Sequence, residues 1–295
     1  MRPGTLHLIP VPIAAGSLPA ALPPDVLARV RRLRVFLAEN ARSARAFLKT
    51  AEHPDPIASL QIAEIGHAPA PALLDTWLAP VRAGADAAVL SEAGCPGIAD
   101  PGTTLVARAH EIGIPVVPWV GPSAILLALM GSGMSGQNFR FLGYLPQNRD
   151  ELTQRLLAVQ REALRGETQI FIETPYRNQR LFDAILQSCD PGVALCLAID
   201  LTGAEQQIAT RRVAQWRKIA PTELPAMDKR PAVFLLGNGT IGQITKPPRT
   251  AHISPEAAPR SSAAPRSPDA PGRSGRHAGT SGRAARRTPH APRDD

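Results

Sequence analysis

The chain has 295 residues, 44% of them apolar, enough for about two folded domains with sizeable cores. Its net charge of +8 is concentrated near one end: residues 246–295 hold ten Lys or Arg, four Asp or Glu and nine prolines, with no aromatic, Leu, Val or Met. Such a segment cannot bury enough apolar surface to offset its chain entropy, so a disordered basic tail is expected over residues 243–295. Residues 1–245 then keep 23 basic and 21 acidic residues, and the overall basicity no longer argues for a nucleic-acid partner. Cys95, Cys189 and Cys196 are odd in number, form no CxxC pair and have no His at metal-ligand spacing. They argue against a disulfide framework and a zinc site, and for a reducing, cytoplasmic setting with no metal. The apolar run 6–15 is interrupted by Pro10 and Pro12, and the run 112–130 by Pro115, Pro118, Gly121 and Pro122. Neither reads as a signal peptide or a membrane span.

Short apolar runs alternate with helical periodicity along the first half. Strands are predicted at Leu6–Ile13, Arg34–Ala38, Leu60–Ile65, Ala87–Leu90 and Ile114–Pro118. Helices are predicted at Asp25–Arg32, Ala41–Thr50, Ala70–Arg82 and Thr103–Ile112. This alternation implies an α/β domain, residues 1–120, with a mostly parallel, helix-covered sheet. Beyond Gly121, helices are predicted at Ser123–Leu129, Asp150–Leu164 and Arg177–Gln187. Extended segments are predicted at Phe139–Leu142, Thr168–Ile172, Leu195–Ile199, Gln207–Thr210 and Ala232–Leu236. The shorter late connections point to a second α/β domain, residues 121–242, with a mixed sheet.

Open parallel sheets bind ligands beyond the carboxyl ends of their strands. Four Gly/Pro-rich loops stand at such ends: Pro10–Ala14, Ser91–Gly102, Gly121–Ala124 and Gly143–Pro146. The second carries three glycines and two prolines in twelve residues, a backbone both fixed and open to close approach: either a ligand loop or an ordinary crossover. No GxxxxGK[ST], GxGxxG, GxSxG or HExxH is present, which removes the common nucleotide-binding, hydrolase and metalloprotease signals.

Taken in order, these loops resemble the tetrapyrrole methylase family, whose members are two-domain α/β methyltransferases that use S-adenosylmethionine. Pro10–Ile13 is similar to the family's VPTPIGN, Ala38-Glu39-Asn40 with Arg42 to AEDTR, and Ser91–Gly102 to SDAGTPLISDPG. Val120–Ala124, Phe141–Pro146, Glu173–Arg177 and Asp200–Thr202 are similar to PGPSA, FxGFLP, ESPHR and ELT. The spellings are nearest the branch that methylates ribose 2′-hydroxyls of 16S ribosomal RNA.

The resemblance implies a cofactor folded into the cleft between the domains. Pro12 and Ile13 would form its floor. Ser91, Glu92, Ala93, Gly94 and Cys95 would meet its methionine and ribose parts, and Ser123 and Ala124 its sugar or adenine. Leu145, Ala198 and Ala232 would be walls from the second domain. Methyl transfer from a sulfonium needs near-attack geometry and exclusion of water, and a ribose hydroxyl also needs a proton acceptor. Glu39 and Glu173 are the candidates, with Arg42 and Arg177 either holding phosphate or serving as surface charges. Asn40 stands where the RNA enzymes carry Asp; it can accept a hydrogen bond but not act as a general base. Tyr176 replaces a common His, and the extra helical domain of the longer enzymes is missing from the matched region. The acceptor is therefore read as ribosomal RNA, with a tetrapyrrole or other small metabolite as the alternative, and a non-catalytic cofactor-binding protein as a third. A homodimer is implied by analogy.

Overall fold

The computed structural model describes residues 2–238; the expected tail at 243–295 lies outside the described residues. A five-stranded sheet is built from β1 (Leu6–Ile9), β2 (Val35–Ala38), β3 (Gln61–Glu64), β4 (Ala87–Leu90) and β5 (Val116–Pro118). Its order is β3-β2-β4-β1-β5 and every neighbouring pair is parallel. The side chains alternate as a two-residue period requires. Phe36, Ala38, Ala88 and Leu90 face one core together with α1 (Leu18–Ala21), α2 (Pro24–Val30) and α3 (Ala41–Thr50). Val35, Leu37, Ala87 and Val89 face the other, with α4 (Leu74–Arg82) and α5 (Thr103–Glu111).

The second sheet is mixed. It comprises β6 (Phe139–Tyr144), β7 (Thr168–Glu173), β8 (Ala194–Ile199), β9 (Gln207–Arg212) and β10 (Ala232–Gly237), in the order β6-β7-β10-β8-β9. Only β6 and β7 pair in parallel; the remaining pairs are antiparallel. One face packs on α7 (Arg149–Leu164), α8 (Asn178–Ser188) and α9 (Val213–Trp216), where Phe171 stacks on Phe234 and Phe182 meets Trp216 edge-on. The opposite face is covered by α6 (Ala124–Ser132) through Ala128 and Leu129.

Each predicted strand and helix forms, with local differences in length. The expected strand 6–13 stops at Ile9, because Pro10 and Pro12 have no N–H to donate to a ladder. Helix α3 begins where expected because the Asn40 side chain accepts from the backbone N–H groups of Arg42 and Ser43, at 2.9 and 3.2 Å. Strand β6 runs to Tyr144, two residues beyond Leu142, through an irregularity in its pairing with β7 at Gly143, which has φ +68°. The short helices α1 and α9 are absent from the sequence reading. No helix among the described residues is long and apolar enough to cross a membrane.

Candidate active-site cleft

The order of the first sheet locates a crevice. From β1 the chain crosses to β2 on one side, and from β4 it crosses to β5 on the other, yet β1 and β4 are neighbours. Their carboxyl ends are thus a point where connections diverge, the place at which open α/β sheets leave room for ligands. Here the loop after β1 and the loop after β4 are tied together by reciprocal hydrogen bonds between Val11 and Gly94. The loop after β5 joins them. Cys95 Sγ donates to the Pro122 carbonyl at 3.3 Å, and a Cβ at Gly121 would overlap the Pro10 ring. Pro12, Ile13, Ser91, Ala93, Gly94, Cys95, Ser123 and Ala124 therefore all belong to one set of contacting loops at one end of the sheet. Ser91 and Gly94 are buried; Ala93 and Glu92 are exposed.

Three carboxylates gather beside these loops. Glu92 accepts from the Ser43 hydroxyl at 2.8 Å, and its backbone N–H donates to Glu39 at 3.4 Å. Glu39, with its side chain 11% exposed, also pairs with the His67 ring at 3.1 Å. Asp100 completes the group from the far end of the β4 loop, following Ala99, which is held at φ +63°. Burial, reinforced by the charges of Glu39 and Glu92, pushes the Asp100 carboxyl up to about 6; His67 and a hydrogen bond from Ser91 act in the opposite sense. Sequence reading missed Asp100, Ser43 and His67 as site residues. The single aspartate of the β4 loop, set just before Pro101 and Gly102, was the available signal; His67 becomes relevant only through the topology.

Cys95 is not a nucleophile in waiting. Burial and the nearby Asp100 charge raise its thiol pKa, the reverse of what thiolate chemistry needs. The buried thiols of Cys189 and Cys196 are pushed up to about 12 and about 11, chiefly by burial. Among the described residues no His, Cys, Asp and Glu group has the makings of a metal site.

From the second sheet, Glu173 ends β7 and accepts two hydrogen bonds from the Arg177 guanidinium on one oxygen, at 2.7 and 3.0 Å. Both side chains are largely buried, so Arg177 is engaged in holding Glu173. Tyr144, at the end of β6, stands between the two halves. Its phenol is raised above the ordinary range by burial, then by Asp100, Glu173 and Glu39, with Arg177 opposing. Tyr144 was not among the expected site residues. The three expected walls do not share a face. Ala232 and Leu145 lie in the core under α7 and α8, whereas Ala198 pairs with Val233 in the core under α6. Asn40 is occupied as the cap of α3, and the Arg42 side chain is exposed in the first turn of that helix.

No family model matches the chain. Proteins named ribosomal RNA small subunit methyltransferase I do match. Those of Micromonospora olivasterospora and Pseudomonas aeruginosa are each 33% identical, over 59% and 60% of this chain and 52% and 59% of theirs. That of Bacillus subtilis is 31% identical over 62% of this chain and 59% of its own length. The chain thus spans a little over half the length of the relatives it matches. Among solved structures, the methyltransferase CobJ superposes with a TM-score of 0.53 at 20% identity, covering 80% of this chain and 94% of that one. A conserved hypothetical protein of Aeropyrum pernix K1 gives 0.54 at 17% identity, over 80% and 84%.

The two sheets and the switch-point crevice define an α/β fold shared with CobJ. In sequence the chain is similar to proteins named ribosomal RNA small subunit methyltransferase I, and in fold to CobJ.

Proposed function

We propose that the protein is an S-adenosylmethionine-dependent methyltransferase acting on a ribose 2′-hydroxyl of small-subunit ribosomal RNA. The observation that carries this reading is the acidic crevice at the β1/β4 switch point, in a chain whose sequence relatives are named ribosomal RNA small subunit methyltransferase I. The donor set suits the cofactor, which brings an ammonium and a sulfonium: Glu39, Glu92 and Asp100 supply negative charge beside the Gly/Pro-rich loops.

When bound, the cofactor supplies an electrophilic methyl on a sulfur that leaves readily. The chain's own residues do the rest. Gly94, held to Val11, keeps the β4 loop against Pro12 and Ile13, and Ser91 to Cys95 present main-chain groups to the cofactor's methionine and ribose. Ser123 and Ala124 approach from the start of α6. Leu145, Ala198 and Ala232 act as packed support behind the second half of the cleft. Glu39 is the proton acceptor, and Glu173, fixed by Arg177, lines the opposite side. Asn40 positions α3 and so presents Arg42 to phosphate. No metal enters this scheme.

The cleft divides the body into domains 1–120 and 121–242. A homodimer accords with apolar side chains left exposed on consecutive elements: Val117, Val120, Leu126 and Met130, the last 80% exposed. Three cysteines, none in a disulfide, fit a cytoplasmic setting.

The test is methyl transfer from labelled cofactor to unmodified small-subunit ribosomal RNA. Label on a ribose is the expected result. Label on a tetrapyrrole but not on RNA would transfer the reading to a small metabolite, and cofactor binding with no labelled acceptor would favour a non-catalytic role.

A further inference from the structure

Dense positive charge occurs twice near the cleft, and the two places behave differently. The run from Arg29 to Arg34 is mostly neutralised inside the protein: Arg29 faces Asp86 at 3.6 Å, Arg31 pairs with Glu52 at 3.1 Å and Arg34 with Asp55 at 2.8 Å. Helix α3 is the opposite case. Ala41, Ala44 and Leu48 form its buried face, and the exposed Arg42, Arg45 and Lys49 follow at spacings of three and four residues. At 100° per residue these three cations fall within about 60° of one another, in a line about 10 Å long. Among the described residues none of them is ion-paired. The helix starts at the cleft: its first residue, Ala41, follows Glu39 and Asn40, and Ser43 in its first turn holds Glu92. The line of charge therefore leads outward from the acidic crevice.

We propose that the α3 stripe Arg42–Arg45–Lys49 is a docking surface for the sugar-phosphate backbone of a structured RNA, delivering the acceptor ribose to the cleft. The inference rests on the RNA reading above and extends it to two residues, Arg45 and Lys49, that lie outside the matched loop motifs. The charge is sorted by ligand. Glu39 and Glu92 lie in the crevice, where a cationic cofactor would neutralise them, and the free cations stand outside; the exposed Glu52, three residues past Lys49, is paired with Arg31. Exposed cations that pair with no acid can neutralise phosphates and release the counterions condensed on the nucleic acid, so their contribution is strongly salt-dependent.

The test compares RNA binding by the full chain and the double variant Arg45→Gln/Lys49→Gln over a salt series, with small-subunit ribosomal RNA as the probe. Both positions are exposed, and calorimetric cofactor binding by the same variant checks that the cleft is intact. The expected result is unchanged cofactor affinity, RNA affinity lowered about tenfold, and a salt slope shallower by about 1.4–1.8, for two lost phosphate contacts. Arg45→Lys should restore most of the slope. An Arg161→Gln/Arg165→Gln variant at the C-terminal end of α7 removes the same charge elsewhere. Equal losses in both double variants would show that net charge alone matters, and an unchanged slope in the α3 variant would likewise overturn the docking role. A wild-type chain that binds cofactor but neither binds nor methylates RNA would instead remove the RNA reading, and the stripe's role with it.

Discussion

Val11 and Gly94 exchange two backbone hydrogen bonds, 2.9 Å from Val11 N–H and 3.1 Å from Gly94 N–H, and so lock the loops after β1 and β4 into one surface. Gly94 holds φ +74°, and a Cβ there would lie 3.4 Å from the Pro122 carbonyl oxygen. Gly94→Ala is expected to cost about 1–3 kcal/mol of stability through backbone strain. It should also weaken cofactor binding, read by chemical denaturation and calorimetry; unchanged values in both would mean that the loop relaxes at no cost.

Asp100 carries a cost that the cleft tolerates. Its carboxyl lies at about 6 in the folded chain against 3.8 ordinarily. The folded state therefore holds a proton that the unfolded state releases, and this group adds stability as pH falls from about 6 towards about 4. Asp100→Asn should melt higher than wild type at pH 7, with the difference shrinking on acidification. The same variant should bind cofactor less tightly above pH 6, where the wild-type carboxylate is ionised. Melting curves and calorimetry at several pH values check both.

His7 titrates in the opposite sense. It is buried, its Nδ1 accepts from Trp119 Nε1 at 3.0 Å, and its Nε2 has only Asp86 nearby, at 3.7 Å. Burial, then the Arg29 charge, lowers its pKa below 6.5, against the opposing pull of Asp86. As pH falls below 6.5 the unfolded chain takes up this proton first, so stability from this group declines. An NMR titration of the His7 ring should give a midpoint under 6.5, and Trp119→Phe should shift it.

Glu173 and Arg177 form an i,i+4 pair with side chains 8% and 20% exposed. Glu173→Gln leaves a largely buried guanidinium without its anion and is expected to cost about 1.5–3 kcal/mol. The double variant with Arg177→Gln should recover part of that loss. A double-mutant cycle by urea denaturation measures the coupling; strict additivity would mean the pair holds nothing together.

Asn40→Ala should cost about 1 kcal/mol by removing the cap of α3, whereas Asn40→Asp retains the acceptor and should remain within about 0.5 kcal/mol of wild type. If Asn40 instead contributed only to catalysis, Asn40→Ala would lower turnover with no change in melting temperature.

Periodicity alone located β4 and α3 to the residue, since Ala87–Leu90 is a continuous buried run and Asn40 is a strong cap. Loop composition likewise marked the residues that meet at the switch point. The acidic group was harder to see because its members come from separate connections: Glu39, His67, Glu92 and Asp100 adjoin only once β2, β3 and β4 are parallel neighbours. Naming Leu145, Ala198 and Ala232 as walls from the second domain rests on their apolar character, whereas strand register decides which face each occupies. Ala232 pairs with Ile199 and Val233 with Ala198, so adjacent positions look in opposite directions.

Both sheets set a schedule for synthesis on the ribosome. Strand β1 is made first but sits inside its sheet, between β4 and β5, so that layer closes only after residue 118 has emerged. The second sheet waits longer. Its central strand is the last one made, β10 at residues 232–237, inserted between β7 and β8. Until then β7 and β8 each carry an open edge, and at ordinary translation speeds of about 5–20 residues per second the whole body takes roughly 10–50 s to emerge. A nascent chain arrested before Ala232 would therefore carry a finished first half and a second sheet split into two pairs with open edges, the form most exposed to aggregation and to capture by chaperones.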